Sequence, residues 1–444
     1  MEKLNITFCS FPDFAGNAKA LYEYMKNRYK DNMNYTWIVY QQKSVEILEK
    51  QKIKAILIGT EEFKKYIKKT NVFFTTQGNL DGDKIKAKKS IYIELWHGVG
   101  AKPTGFAQEN PSKKDLEGYK QIGEIVDYFI VPSDFWKMIW GSMFKVEHSR
   151  IKSLGLPIFD YFKNSNGKEN LSKVLKCDID KYKKLIVYMP TFRKGFNHND
   201  ITLVSDNIFN IKKGFDDKKL NEFLVKNNYL LCIKPHPGEL SKISFEETEN
   251  IKLISEEQML EEKISINEMI NAFDLLITDY SSIGTEFIFM DKPVLFNFSD
   301  IDEYMKNRGL YFSSDTFWFP GPKFNTFDEL IDEMQKLLLD SNYFKTERDE
   351  KKKLWYGTLQ DGGCKQICDF LFYNNQINLK VKRYNSREMY LERKNKKNNE
   401  IIKEQIGTIK KLTESDIELK QIKNSTSWKI LEGMRKFKDK MKSK

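Results

Sequence analysis

The sequence predicts an α/β protein of two Rossmann-like domains, each a parallel sheet covered by helices, followed by a charged helical tail. Three observations carry this. Short apolar runs alternate with amphipathic or polar stretches through residues 1–162. The same alternation resumes near Leu185 after a polar interval. From about Asn378 the chain becomes highly charged, with no Pro and only Gly407 and Gly433. Buried strands separated by helices are what a parallel sheet with both faces covered requires.

In the first domain, residues 1–162, Leu4 to Cys9 reads as a strand and Ala18 to Tyr29 as a helix, with apolar residues at helical spacing. Tyr35 to Tyr40, Ala55 to Ile58, Val72 to Thr75, Ile91 to Leu95 and Tyr128 to Val131 follow as strands. The segment from Lys163 to Lys184, rich in Asn, Lys, Ser and Asp, has no apolar period, so residues 163–180 are expected to be a linker. The second domain, 181–377, offers Leu185 to Met189, Tyr229 to Ile233, Leu275 to Thr278 and Pro293 to Phe298 as strands. The two halves should face one another across a cleft at the carboxyl ends of their strands.

In the tail, 378–444, Ile402, Ile406, Ile409 and Leu412 recur as in a helix or short coiled coil, which offers a route to homo-oligomers. Ile430, Met434, Phe437 and Met441 form a second stripe, and Lys429 to Lys444 holds seven basic and two acidic side chains. A basic amphipathic end suits an anionic membrane surface; the alternative is a solvated or partner-binding helix.

Composition narrows the class. Hydrophobic residues make up 40% of the 444, enough for real cores, and no apolar run is long enough to cross a membrane. Without a secretory signal, the expected location is the cytoplasm, peripheral on the inner face of the cell membrane. Cys9, Cys177, Cys232, Cys364 and Cys368 are scattered, which fits reduced thiols. No metal and no cofactor is expected. A formal charge of +11 calls for an anionic partner. A basic RNA-binding or scaffold protein fits that charge alone, but there is no nucleic-acid motif and much of the excess is terminal, so no nucleic-acid partner is expected.

Four segments that follow strands carry groups suited to phosphate. Leu95-Trp96-His97-Gly98-Val99-Gly100 places His97 at a strand's carboxyl end beside two glycines, which let backbone approach a ligand. His97 is there either a general base or a structurally held histidine. Pro190-Thr191-Phe192-Arg193 and Lys234-Pro235-His236-Pro237 end strands of the second domain with cations, and two prolines hold the second of these loops stiff. Thr278-Asp279-Tyr280-Ser281-Ser282 leads into an apolar helix, whose N-terminus Ser281 or Ser282 can cap and whose free N–H groups suit the pyrophosphate of a nucleotide. Glu286, one turn on, is placed to accept from ribose hydroxyls.

In this order, the segments resemble the CDP-glycerol glycerophosphotransferases of teichoic acid synthesis, over nearly all of residues 1–375. Phe11 to Phe14 and Asn17 to Tyr22 resemble the start of that catalytic region. Trp96-His97-Gly98, Pro190 to Arg193, Lys234 to Pro237, Thr278 to Ser282, Asp300 to Gly309 and Asp361-Gly362 match its later blocks. The resemblance implies a GT-B type architecture, a cytidine diphosphate donor in the second domain and two functional histidines, His97 and His236. Glycerol phosphate would pass from CDP-glycerol to a hydroxyl of a lipid-linked or polysaccharide acceptor, in a cell-wall or capsular polymer, with release of CMP. On that scheme His97 takes the acceptor proton. His236, Arg193, Ser281 and Ser282, within the block that includes Thr278 and Asp279, hold the donor, with Arg308 assisting and Glu286 on ribose. The sequence departs from the family in having Glu286 for Asp and Gly98-Val99-Gly100-Ala101 for Gly-Thr-Pro-Leu. Both departures leave the polyol open, CDP-ribitol being the alternative donor. Sugar transfer from a nucleotide-sugar on the same scaffold is the other enzymatic alternative, because a fold does not fix the transferred group.

Overall fold

The computed structural model describes residues 3–373 except 77, 79–89, 110, 192–206, 210, 212–213, 236–245, 308, 313–314, 358 and 360–361. The tail beyond 373, with the expected coiled coil and basic stripe, lies outside these residues.

The first sheet contains β1 (Leu4–Cys9), β2 (Met33–Val39), β3 (Ala55–Leu57), β4 (Val72–Thr75), β5 (Ile91–Glu94), β6 (Tyr128–Val131) and β7 (Ile151–Ser153), in the order β3-β2-β1-β4-β5-β6-β7. The second contains β8 (Lys184–Met189), β9 (Tyr229–Ile233), β10 (Ile251–Leu253), β11 (Leu275–Thr278), β12 (Val294–Asn297) and β13 (Lys323–Phe324), in the order β10-β9-β8-β11-β12-β13. All the paired strands run parallel. Central strands β1, β4, β8 and β11 are buried along most of their length, which is why they read as continuous apolar runs.

Fifteen helices connect or cover the described strands: α1 (Gly16–Tyr29), α2 (Gln42–Lys50), α3 (Glu61–Ile67), α4 (Lys113–Ile125), α5 (Asp134–Phe144), α6 (Ile158–Asn164), α7 (Gly167–Leu175), α8 (Asp217–Asn227), α9 (Glu256–Glu262), α10 (Ser282–Phe289), α11 (Ile301–Asn307), α12 (Asp315–Trp318), α13 (Phe327–Leu339), α14 (Lys345–Tyr356) and α15 (Cys364–Cys368). Strand order reverses at β1/β4 and at β8/β11. Crevices at such switch points, beyond the carboxyl ends of the strands, are where open α/β sheets bind ligands.

Two boundaries differ from the sequence expectation. Residues 163–180 are not an unstructured linker: they carry α7, which buries Leu171 and Val174 and whose Asn170 Nδ2 donates to Glu268 O at 3.0 Å. Two inward positions on a polar helix are too few to show an apolar period. The second domain also does not run unbroken to 377. Gly363 N donates to Leu156 O at 3.1 Å and Cys364 N to Asp160 Oδ2 at 3.0 Å, and α15 then packs on the first domain. Cys364, Ile367, Cys368 and Leu371 share a core with Phe8, Leu21 and Met25.

The crossing is held by charge as well as by packing. Lys19 of α1 is fully buried, with Nζ 2.7 Å from Glu23 Oε1 and 2.6 Å from Glu268 Oε2 in the second domain. Tyr161 of α6 donates to Glu23 Oε2 at 2.6 Å, closing the cluster. Nearby, the Phe159 ring stacks on Phe289 of α10 at 4.1 Å.

Candidate active site

His97 follows β5, and its turn is built by residues with no visible role in the sequence. Glu94 is fully buried and accepts from Trp96 N at 2.8 Å and from Gly78 N at 2.7 Å, tying the loops after β5 and β4 together. Burial pushes its carboxyl up to about 8, against the pull of those two bonds. Asn17 Nδ2 donates to Trp96 O at 2.9 Å, while its Oδ1 accepts from Ile158 N at 3.1 Å, so one amide fixes both the turn that bears His97 and the start of α6. Trp96 takes the left-handed conformation, φ 53°, and its ring packs 4.7 Å from that of Phe144.

The His97 ring lies 4.4 Å from that of Trp96, with Nδ1 3.1 Å from the carbonyl of Thr76. A carbonyl only accepts, so Nδ1 carries the proton, and among the described residues nothing bonds the Nε2 lone pair. The outer edge of the residue is open to solvent. Burial of the ring among the surrounding atoms nevertheless lowers its pKa, opposed by the bond to Thr76 and reinforced by Lys102. A neutral imidazole with a fixed tautomer is the state a general base needs.

From His97 the chain passes directly onto the second domain. A Cβ on Gly98, φ 157°, would lie 2.5 Å from Glu286 Oε1 and 2.7 Å from Ser282 Oγ. On Gly100 it would lie 3.1 Å from Ser282 Cα. Only glycines admit this approach. Val99 N bonds the Glu286 carboxyl, Thr285 Oγ1 donates to Val99 O, and Tyr311 N donates to Ala101 O at 2.7 Å. The loop that bears the histidine is therefore seated on the first turns of α10.

Among the described residues, no side chain caps that end of α10. Ser281 occupies the N-cap position but makes no capping bond, and both Ser281 and Ser282 are half-buried rather than sealed. Unmatched N–H groups at a helix start, with the positive end of its dipole, form an anion site. Glu286 is only 3% exposed. Its carboxyl is turned to the glycine loop, and burial raises it to about 8, with the Val99 bond acting in the opposite direction.

Thr278 and Asp279, expected among the donor contacts, are instead fully buried. Thr278 Oγ1 donates to Met189 O at 2.7 Å, and Asp279 accepts from Thr191 N at 2.9 and 3.0 Å. They fasten the end of β11 to the end of β8 and so position the loops on either side of the switch point. Lys234 pairs with Glu256 and also reaches Pro235 O at 3.4 Å. His236, Arg193 and Arg308 lie outside the described residues. Among the described residues no group of three or more His, Cys, Asp or Glu is arranged to hold a metal ion.

The profile of the CDP-glycerol:poly(glycerophosphate) glycerophosphotransferases matches residues 1–373. The chain belongs to this family. It is thus an enzyme, a glycerophosphotransferase of the CDP-glycerol-using type, as the ordered motifs imply. The teichoic acid glycerol-phosphate primase of Bacillus subtilis (strain 168) is 28% identical over 339 residues, 72% of this chain and 81% of the relative. The teichoic acid ribitol-phosphate primase of Bacillus spizizenii (strain ATCC 23059 / NRRL B-14472 / W23) is 27% identical, covering 64% of this chain and 70% of that one. The wall teichoic acid polymerase TagF superposes with a TM-score of 0.66 at 20% identity, over 87% of this chain and 90% of that chain. The last likeness establishes a shared GT-B type fold. Asn17, Glu94 and Thr285 hold the His97 turn and its seat on α10, and the motifs gave them no such place. Asn17 stood inside a matched block, Glu94 ended an apolar strand and Thr285 lay in an apolar helix, so local pattern gave none of them a role.

Proposed function

We propose that the enzyme transfers glycerol phosphate from CDP-glycerol to a hydroxyl of a teichoic-acid-type acceptor, with His97 as the base and the start of α10 as the pyrophosphate site. The observation that carries this is the seating of the His97 loop on the N-terminus of α10, where among the described residues no side chain caps the helix and nothing bonds Nε2. The acceptor O–H gives its proton to Nε2 and its oxygen bonds the β-phosphorus. The bond from that phosphorus to the oxygen bridging the two phosphates breaks, and CMP leaves with that oxygen. Ser281 and Ser282 meet the pyrophosphate, with His236, Arg193 and Arg308 supplying cationic or donor groups. Glu286, expected at the ribose, instead turns its carboxyl to the glycine loop, where burial favours the neutral form and so limits the negative charge beside the phosphates. Aligning the reactants and neutralising charge is most of what phosphoryl transfer asks of a protein.

Purified enzyme given CDP-glycerol and a lipid-linked acceptor should release CMP, and faster than with CDP-ribitol. Faster release from CDP-ribitol would reassign the polyol. Release of a nucleoside diphosphate from a nucleotide-sugar, with no CMP from either donor, would overturn the reading.

The basic stripe of the tail supports attachment to an anionic membrane. Each basic residue near such a surface contributes about 1 kcal/mol, so removing residues 425–444 should abolish flotation with anionic liposomes and leave turnover of a soluble acceptor analogue intact. Equal flotation of full-length and truncated protein would end that idea.

A further inference from the structure

We infer that Thr285 is a positioning residue for the transfer reaction: its hydroxyl latches the His97 loop onto α10 and sets where the base meets the donor. The effect on catalysis rests on the reading of His97 as the base, whereas the latch itself does not.

Thr285 is 4% exposed and lies one turn into α10, facing the first domain. Its Oγ1 has two acceptors. One is Val99 O, two residues from His97 on the opposite domain; the other is Ser282 O in its own helix, at 2.7 Å. A threonine hydroxyl carries a single proton and can return to the i−3 carbonyl of a helix. Across the cleft it therefore bonds the loop. The Ser282 carbonyl gives the same proton a second acceptor within the helix, so the hydroxyl stays satisfied at its buried position.

The surroundings hold the same contact from several sides. Val99 is fully buried and meets α10 with both backbone groups, N to Glu286 and O to Thr285. Tyr311 N holds Ala101 O at 2.7 Å, and Tyr311 OH is 2.9 Å from Ser142 Oγ of the first domain. On the other side of α10, Tyr356 OH donates to Thr285 O at 2.7 Å, fixing the backbone that presents the hydroxyl. Gly98 and Gly100 lack the Cβ atoms that would keep the loop off the helix.

The test compares Thr285→Val, which keeps the shape and loses the hydroxyl, with Thr285→Ser, which keeps the hydroxyl. A single net hydrogen bond corresponds to about a tenfold effect. Thr285→Val should lower kcat by about that factor, leave the Kd of CDP-glycerol from calorimetry unchanged and speed amide exchange over residues 98–101. Thr285→Ser should stay near wild type in all three. On a His97→Ala background Thr285→Val should produce no further loss of rate, because the latch acts through the histidine. Equal behaviour of the two Thr285 variants, unchanged exchange in Thr285→Val or weakened donor binding would overturn the inference. An undiminished His97→Ala enzyme would instead remove the base assignment, with the exchange result still judging the latch.

Discussion

His97→Ala is expected to lower kcat by about 10² to 10⁴-fold, the usual contribution of a positioned proton acceptor, while CDP-glycerol binds nearly as in the wild type. The geometry separates these effects, because His97 enters from the first domain whereas α10 and the loops after β8 and β9 belong to the second. The acid limb of the rate profile should follow the same ring. Burial disfavours the imidazolium, so the base stays deprotonated to a pH below its ordinary value of about 6.5. As pH falls through that lowered pKa, Nε2 gains a proton and the rate drops. Steady-state rates from pH 5 to 8, with donor titration of both proteins, check this. A variant that has lost donor binding, or that keeps wild-type kcat, would take the base role from His97.

Lys19→Met is expected to destabilise the fold by about 3 to 5 kcal/mol, the cost of removing one partner from a buried ion pair. The lysine is fully buried between Glu23 and Glu268. Without it, two carboxylates meet at the domain crossing with no cation to offset them. Thermal unfolding should shift down by on the order of 10 °C. Adding Glu268→Gln should restore part of the loss, since the remaining site then buries less unpaired charge. A single variant melting with the wild type would mean that water or rearrangement relieves the cluster.

Much of the fold is legible in the sequence because central parallel strands are apolar throughout. The seven strands expected over 4–9, 35–40, 55–58, 72–75, 91–95, 128–131 and 185–189, and three more in the second half, all correspond to observed ones. Those not anticipated, β7, β10 and β13, are edge strands of two or three residues, too short to form a run. The site is legible only as motifs at strand ends. Pattern places Thr278 and Asp279 beside the serines, but cannot tell that their side chains turn inward to hold Met189 and Thr191. It is equally silent on Asn17, whose partners Trp96 and Ile158 lie 79 and 141 residues away. A relation between such distant residues has no local signature.

The return of α15 to the first domain bears on how the molecule is made. Arg28 and Asp369, paired at 3.0 Å, are 341 residues apart in the chain. At synthesis rates of about 5 to 20 residues per second, α1 emerges roughly 20 to 70 s before its partner segment exists. During that interval the apolar faces of Phe8, Leu21 and Met25 lack the cover of Cys364, Ile367, Cys368 and Leu371. The domain begun first is thus the one completed last, and that first half does not correspond to a single uninterrupted stretch of the gene.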